Sequence, residues 1–125
     1  MFKVMSSPID PYAIIAGVRD NAGIGATVSF IGTLRGQSAE GRQLSYAQCE
    51  GDRKQAETLL GEVSRELNSK WDLIDFAICH REGRIEVGQV IMVVAVAARN
   101  RPQAFEACQH AVDRAKESLA IREVI

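Results

Sequence analysis

Residues 90–116 read VIMVVAVAARNRPQAFEACQHAVDRAK. Val90 to Ala98 is almost unbroken in its apolar character and rich in β-branched residues, the composition of a central strand buried on both faces. Pro102, with its fixed φ, then opens a helix that runs to about Glu117. Phe105, Cys108, Val112, Ala115 and Leu119 recur at helical spacing and form the expected core-facing stripe. Arg99, Asn100 and Arg101 stand between strand and helix, and Lys116 stands near the helix's far end. A helix N-terminus presents free N–H groups and a positive dipole end, so such a junction suits an anion.

Upstream, Trp71 to His80 predicts a strand, with Ile74, Phe76 and Ile78 on one face. Arg81 to Gly88 joins it to the apolar run as a connection with two glycines. Asp52 to Lys70 is the clearest amphipathic helix, with Ala56, Leu59, Leu60, Val63 and Leu67 at helical spacing. Before it, Arg42 to Glu50 alternates as a strand, with Leu44, Tyr46 and Gln48 opposed to Ser45, Ala47 and Cys49. Gln37 to Gly41 is a polar loop, and Ala26 to Leu34 (ATVSFIGTL) is a strand ending at Arg35. Asn21 to Gly25 reads as a turn with two glycines available for positive φ. Asp10 and Pro11 cap a short helix ending near Asp20, with Ile14, Ile15 and Val18 facing inward, and Phe2 to Met5 forms an edge strand. Adjacent strand pairs, Ala26–Leu34 with Arg42–Glu50 and Trp71–His80 with Val90–Ala98, predict an α+β fold with a mostly antiparallel sheet and three helices.

The 125 residues form one expected domain, 1–125, with a formal net charge of -1, which does not support a nucleic-acid footprint. The longest apolar run is too short to span a bilayer, and the N-terminus lacks the apolar region of a signal peptide. Three widely spaced cysteines, an odd number, argue against a disulfide framework and fit a reducing cytoplasm. No metal site is expected. Cys79 and His80 are strand neighbours pointing to opposite faces, and Cys108 and His110 are two apart on a helix. Gly23 and Gly25 precede a strand, not the order of a dinucleotide fingerprint, so no cofactor is expected.

What remains is cationic. Arg35 lies past one strand, and Arg99 and Arg101 lie past another. The guanidinium fork suits phosphate or carboxylate, although such residues are also ordinary solvated surface groups. Lys116 borders the buried stripe, where it serves either the helix dipole or, if desolvated, proton transfer or nucleophilic attack. Arg101 and Lys116 bracket a helix of about fifteen residues, so at 1.5 Å per residue they stand about 22 Å apart. Within one chain they cannot share a small substrate; a site using both must draw on two subunits.

Three segments in matching order, GATVSFIGTLRG, ICHREGRIEVGQVIMVVAVAA and NRPQAFEACQHAVDRAK, resemble the catalytic, large subunit of molybdopterin synthase, the MoaE family. The resemblance implies an α/β hammerhead fold and a homodimer. It implies a small ubiquitin-like sulfur carrier (MoaD-like) whose C-terminal Gly-Gly thiocarboxylate enters the large subunit, and cyclic pyranopterin monophosphate as the sulfur acceptor. By position, Lys116 matches the catalytic lysine. Arg35 and Arg101 match groups binding the phosphate or the carrier terminus, and Thr33 and Leu34 would line the pocket through their backbone. Two departures stand out. Asn100 occupies the place of the family's histidine beside Arg101, and Lys116 is followed by ESLAIREVI, where Arg122 and Glu123 stand as remnants of a segment carrying a second lysine. These departures define an alternative, a catalytically impaired homologue that binds or regulates a carrier.

Overall fold

The computed structural model describes residues 1–19 and 21–125; the expected helix end near Asp20 lies outside the described residues. Among these residues seven strands form two sheets. The larger has the order β1 (Phe2–Met5), β4 (Leu73–Arg81), β6 (Val90–Ala98) and β2 (Ala26–Thr33). β1 runs parallel to β4, while β4–β6 and β6–β2 are antiparallel. The smaller sheet has β3 (Tyr46–Cys49) between β5 (Gly83–Glu86) and β7 (Ile121–Val124), antiparallel to both. The architecture is α+β, with helices α1 (Pro11–Val18), α2 (Arg53–Lys70) and α3 (Arg101–Ala115), the last followed by a 3-10 turn over Lys116–Ser118. No helix among the described residues is long and apolar enough to cross a membrane.

The continuous apolar run of β6 has the expected cause. Val94 and Val96 pack with Leu60, Val63, Leu67, Ala107 and Ala111 of α2 and α3. Ala95 and Ala97 face the other way, against Val18, Ile14 and Ile15 of α1. A smaller cluster of Leu34, Leu44, Ala47, Cys49 and Ile85 holds the second sheet. Asp10 caps α1 with Pro11 as its first residue, and Asp52 caps α2, as their sequences dictate.

Several expectations are corrected. Ala26–Thr33 pairs with β6, not with the next strand in the chain. The strand expected over Arg42–Glu50 is confined to Tyr46–Cys49, because Leu44 and Ala47 are both buried and alternation breaks between them. The connection after Arg81 contains a strand of its own, β5, entered at Gly83 (φ 83) and left toward Gly88 (φ 87), both in the left-handed region. Gly23 and Gly25 do not take positive φ. Gly25 is needed for close approach, since a Cβ there would sit 2.0 Å from the Arg99 carbonyl oxygen. Phe105 does not join the core stripe; it is 57% exposed, while Ala104, Ala107, Cys108, Ala111, Val112 and Ala115 make up the buried face of α3.

Candidate active site

β2 and α3 lie side by side and run in the same direction. At their start, Ala26 pairs with Ala98, and the Gly25 N–H donates to the Ala98 carbonyl at 2.9 Å. At their end, Thr33 and Lys116 line one cavity of about 400 Å³, walled by Phe30, Gly32, Ile91, Met92, Leu119 and Ile121. The structure therefore brings Thr33 and Lys116 together and leaves Asn100 and Arg101 at the opposite end of the helix.

The pocket end is shaped by β2 itself. Its pairing with β6 shifts register between Gly32 and Thr33, and such a bulge re-aims side chains. A Cβ on Gly32 would meet the Phe30 ring at 3.0 Å, so the missing side chain keeps the cavity open. Lys116 is exposed, with its Nζ 5.9 Å from the Phe30 ring centroid, within cation–π range. Leu34 is buried in the second cluster, and its backbone is engaged: its N–H donates to Gln89 O (2.9 Å) and its carbonyl accepts from Gly88 N–H (2.8 Å). Arg35 follows, exposed and without an ion-pair partner among the described residues. Ile121 walls the cavity, but Arg122 turns to Glu50, with Nε 2.8 Å from Oε1, a bond that raises its pKa further. Glu123 is exposed on the same strand.

At the other end Asn100 is the N-cap of α3, its Oδ1 accepting from Gln103 N–H at 3.2 Å. Arg101 is the first helical residue and Pro102 the second, so the helix opens one residue before the proline. Arg99 pairs with Asp72 at 3.4 Å on the surface. Arg101 is exposed, with no ion-pair partner among the described residues.

The far end of α3 is tied to α2. Glu66 accepts from His110 Nε2 (2.7 Å) and from Arg114 Nε and a terminal guanidinium nitrogen (3.0 and 2.9 Å). Hydrogen bonds from Arg114 first and His110 second hold its carboxyl down to about 2. Cys108 and Cys79 are poorly suited as nucleophiles: burial pushes the Cys108 thiol up to about 11 and also raises Cys79. Between β2 and α3 runs a second groove, about 450 Å³, lined by Val28, Phe30, Phe105, Cys108 and Val112. It lies along β2, the edge of the larger sheet, where Ile31 is also exposed.

The residue readings had missed the apolar walls Phe30, Met92 and Ile121. A signal was present in Gly32, since a glycine inside a strand pattern marks a bulge or a close approach.

A family model described as "MoaE protein" matches residues 4–118. A molybdopterin synthase catalytic subunit of Halalkalibacterium halodurans is 34% identical over 120 residues, covering 96% of this chain and 76% of that protein. Among solved structures, molybdopterin synthase from Staphylococcus aureus matches with a TM-score of 0.87 at 28% identity, covering 98% of this chain and 90% of the other. A chain from a Helicobacter pylori complex of subunits 1 and 2 of molybdopterin-converting factor shares the fold, with a TM-score of 0.77 at 14% identity over 98% of this chain and 88% of that one.

Proposed function

The chain belongs to the MoaE family, and on that premise we propose that it is the catalytic subunit of a molybdopterin synthase. In this reading it transfers sulfur from the thiocarboxylated Gly-Gly terminus of a small ubiquitin-like carrier to cyclic pyranopterin monophosphate, forming the molybdopterin dithiolene. The observation that carries the reading is the cavity shared by Thr33 and Lys116. Its bulged, glycine-opened wall suits a terminus without side chains. The Lys116 ammonium stands where negative charge develops as the carbonyl is attacked, and serves as acid/base or by a covalent link. Arg35, just beyond Thr33, meets the carrier terminus or the substrate phosphate.

Arg101 completes such a site only from a second copy, because α3 separates it from Lys116 by about 22 Å at 1.5 Å per residue. A homodimer is supported by the unpaired edge of β2 and the exposed Ile31 and Phe105 beside it. A place in the cytoplasm fits the three free cysteines. The Helicobacter pylori neighbour is a complex of two subunits, which supports a small-subunit partner here.

One observation favours the alternative of a carrier-binding module without turnover: Asn100 spends its side chain on the helix cap and has no proton to exchange near neutral pH. Reconstitution with thiocarboxylated carrier and cyclic pyranopterin monophosphate decides between the two. The enzyme reading expects dithiolene product from the intact chain and a fall of at least about a hundredfold in kcat for Lys116→Ala, with carrier affinity kept. Carrier binding without product establishes the alternative. The shared site is tested by mixing Arg101→Glu and Lys116→Glu subunits: activity returning in mixed dimers supports it, and dimers that stay inactive count against it.

A further inference from the structure

His80 is fully buried, and the sulfur transfer outlined above gives it no task. It sits on β4 opposite Met92 of β6, a wall of the Lys116 cavity. Its Nε2 is 2.8 Å from Ser118 Oγ, and its Nδ1 is 3.2 Å from the Arg81 carbonyl oxygen. The Ser118 hydroxyl donates to the Ala115 carbonyl at 2.8 Å and is linked through the same oxygen to Nε2, while Nδ1 faces the Arg81 carbonyl; either neutral tautomer keeps the His80–Ser118 link. Burial pushes the imidazole below its ordinary pKa, which keeps the ring neutral.

Ser118 closes the 3-10 turn that begins at Lys116. The turn is also held from outside. A Cβ on Gly51 would stand 3.2 Å from the Ser118 carbonyl oxygen, and the Glu50 N–H donates to Ala120 O at 2.9 Å. Lys116 has no ion-pair partner among the described residues; its Nζ lies 5.9 Å from the Phe30 ring centroid, and the turn that carries it sets whether that contact is reached. A buried histidine whose only role was to fill the core would be satisfied by any nearby acceptor or donor. This one reaches across to the short segment rooting the lysine.

We propose that His80, acting through Ser118, is a positioning residue that fixes the turn from which Lys116 enters the cavity. The inference rests on the reading of Lys116 as the catalytic group. Ser118→Ala removes the link and leaves His80 in place, and Ser118→Thr restores the hydroxyl. With thiocarboxylated carrier and cyclic pyranopterin monophosphate, kcat falls about tenfold in Ser118→Ala, both KM values stay within about twofold, and Ser118→Thr recovers most of the loss, because misplacing a reacting group costs rate more than binding. An unchanged kcat in Ser118→Ala overturns the proposal.

Trace acetylation with acetic anhydride, read by mass spectrometry, reports on the lysine without turnover. The reactivity of Lys116 relative to Lys54 and Lys70 shifts in Ser118→Ala and returns in Ser118→Thr; no shift overturns the positioning role. If the intact chain makes no product, the enzyme reading falls, and the labelling alone decides the geometry. If Ser118→Ala does not fold, Gly51→Ala presses on the same turn from the opposite side, and the same loss of kcat and shift in labelling are expected from it.

Discussion

At its start α3 is capped by its neighbours in sequence, with one long-range tie from the Asp72 N–H to Gln103 Oε1 (2.7 Å); at its end several residues far away in the chain converge on it. Asn100 and Pro102 set the first turn locally, by a cap and a fixed φ. The last turn depends on Glu66 of α2, on His80 of β4 and on the backbone around Gly51. The start is exposed and simple, while the end borders a cavity and a buried imidazole. The difference separates two ends of one helix: a locally capped start, and an end where the lysine that we propose as the reacting group stands among residues brought together by tertiary packing.

Two glycines on either side of the contrast offer the strongest way to break it. Gly25→Ala places a Cβ 2.0 Å from the Arg99 carbonyl, a backbone atom that cannot yield, and should cost about 3 kcal/mol in urea unfolding while the folded fraction keeps its kcat. Gly32→Ala presses on the Phe30 ring, at 3.0 Å, with the Met92 carbonyl at an ordinary 3.9 Å, and should cost about 1 kcal/mol while lowering kcat about tenfold as the ring closes the cavity. The reverse pattern, activity lost at Gly25 and stability at Gly32, would remove the division of labour.

A third variant isolates the start. Asn100→Ala deletes the cap and should cost about 1 kcal/mol, lowering Tm by roughly 4 °C, with Asn100→Asp close to neutral. A loss of sulfur transfer larger than the loss of folded protein would give Asn100 a second role.

Acid acts on the far end. Glu66 titrates lower in the folded chain, at about 2, than its ordinary 4.5, so its contribution is whole above 4.5 and lost as pH falls toward 2. His80 is also depressed, from 6.5, so its contribution is present above 6.5 and declines as pH falls below it. Urea midpoints should therefore drop in two stages on acidification, with Glu66→Gln flattening the lower one. Amide exchange should rise over residues 112–119 before it rises over 101–104.

The same contrast marks what could be read from the chain. Val90–Ala98, the three helices and the cap at Asp10 follow from local pattern, because continuous burial, helical spacing and capping residues act within a few positions. The partner of Ala26–Thr33 does not. Sequence neighbours favour the next strand, but the large apolar face of β6 competes for it and wins. Phe105 obeys helical spacing yet faces out, because the buried side of α3 is built from alanines that let the helix approach the sheet. Among the candidate site residues, Lys116, Arg35 and Arg101 are legible as cations at element ends. The cavity was not, since Phe30, Met92 and Ile121 meet only when three separate segments pack.

β3 occupies the middle of the smaller sheet, between β5, from the connection that joins β4 to β6, and β7. Synthesis runs from the N-terminus, so β3 exists long before either neighbour, and β7 is made after every other described strand. Both edges of β3 thus stand open during synthesis, and closure of the smaller sheet waits for pairings of long sequence separation, the kind that fold slowly. Because Ile121 of β7 also walls the Lys116 cavity, that cavity is among the last features to form, and a nascent chain lacks it until its smaller sheet is complete.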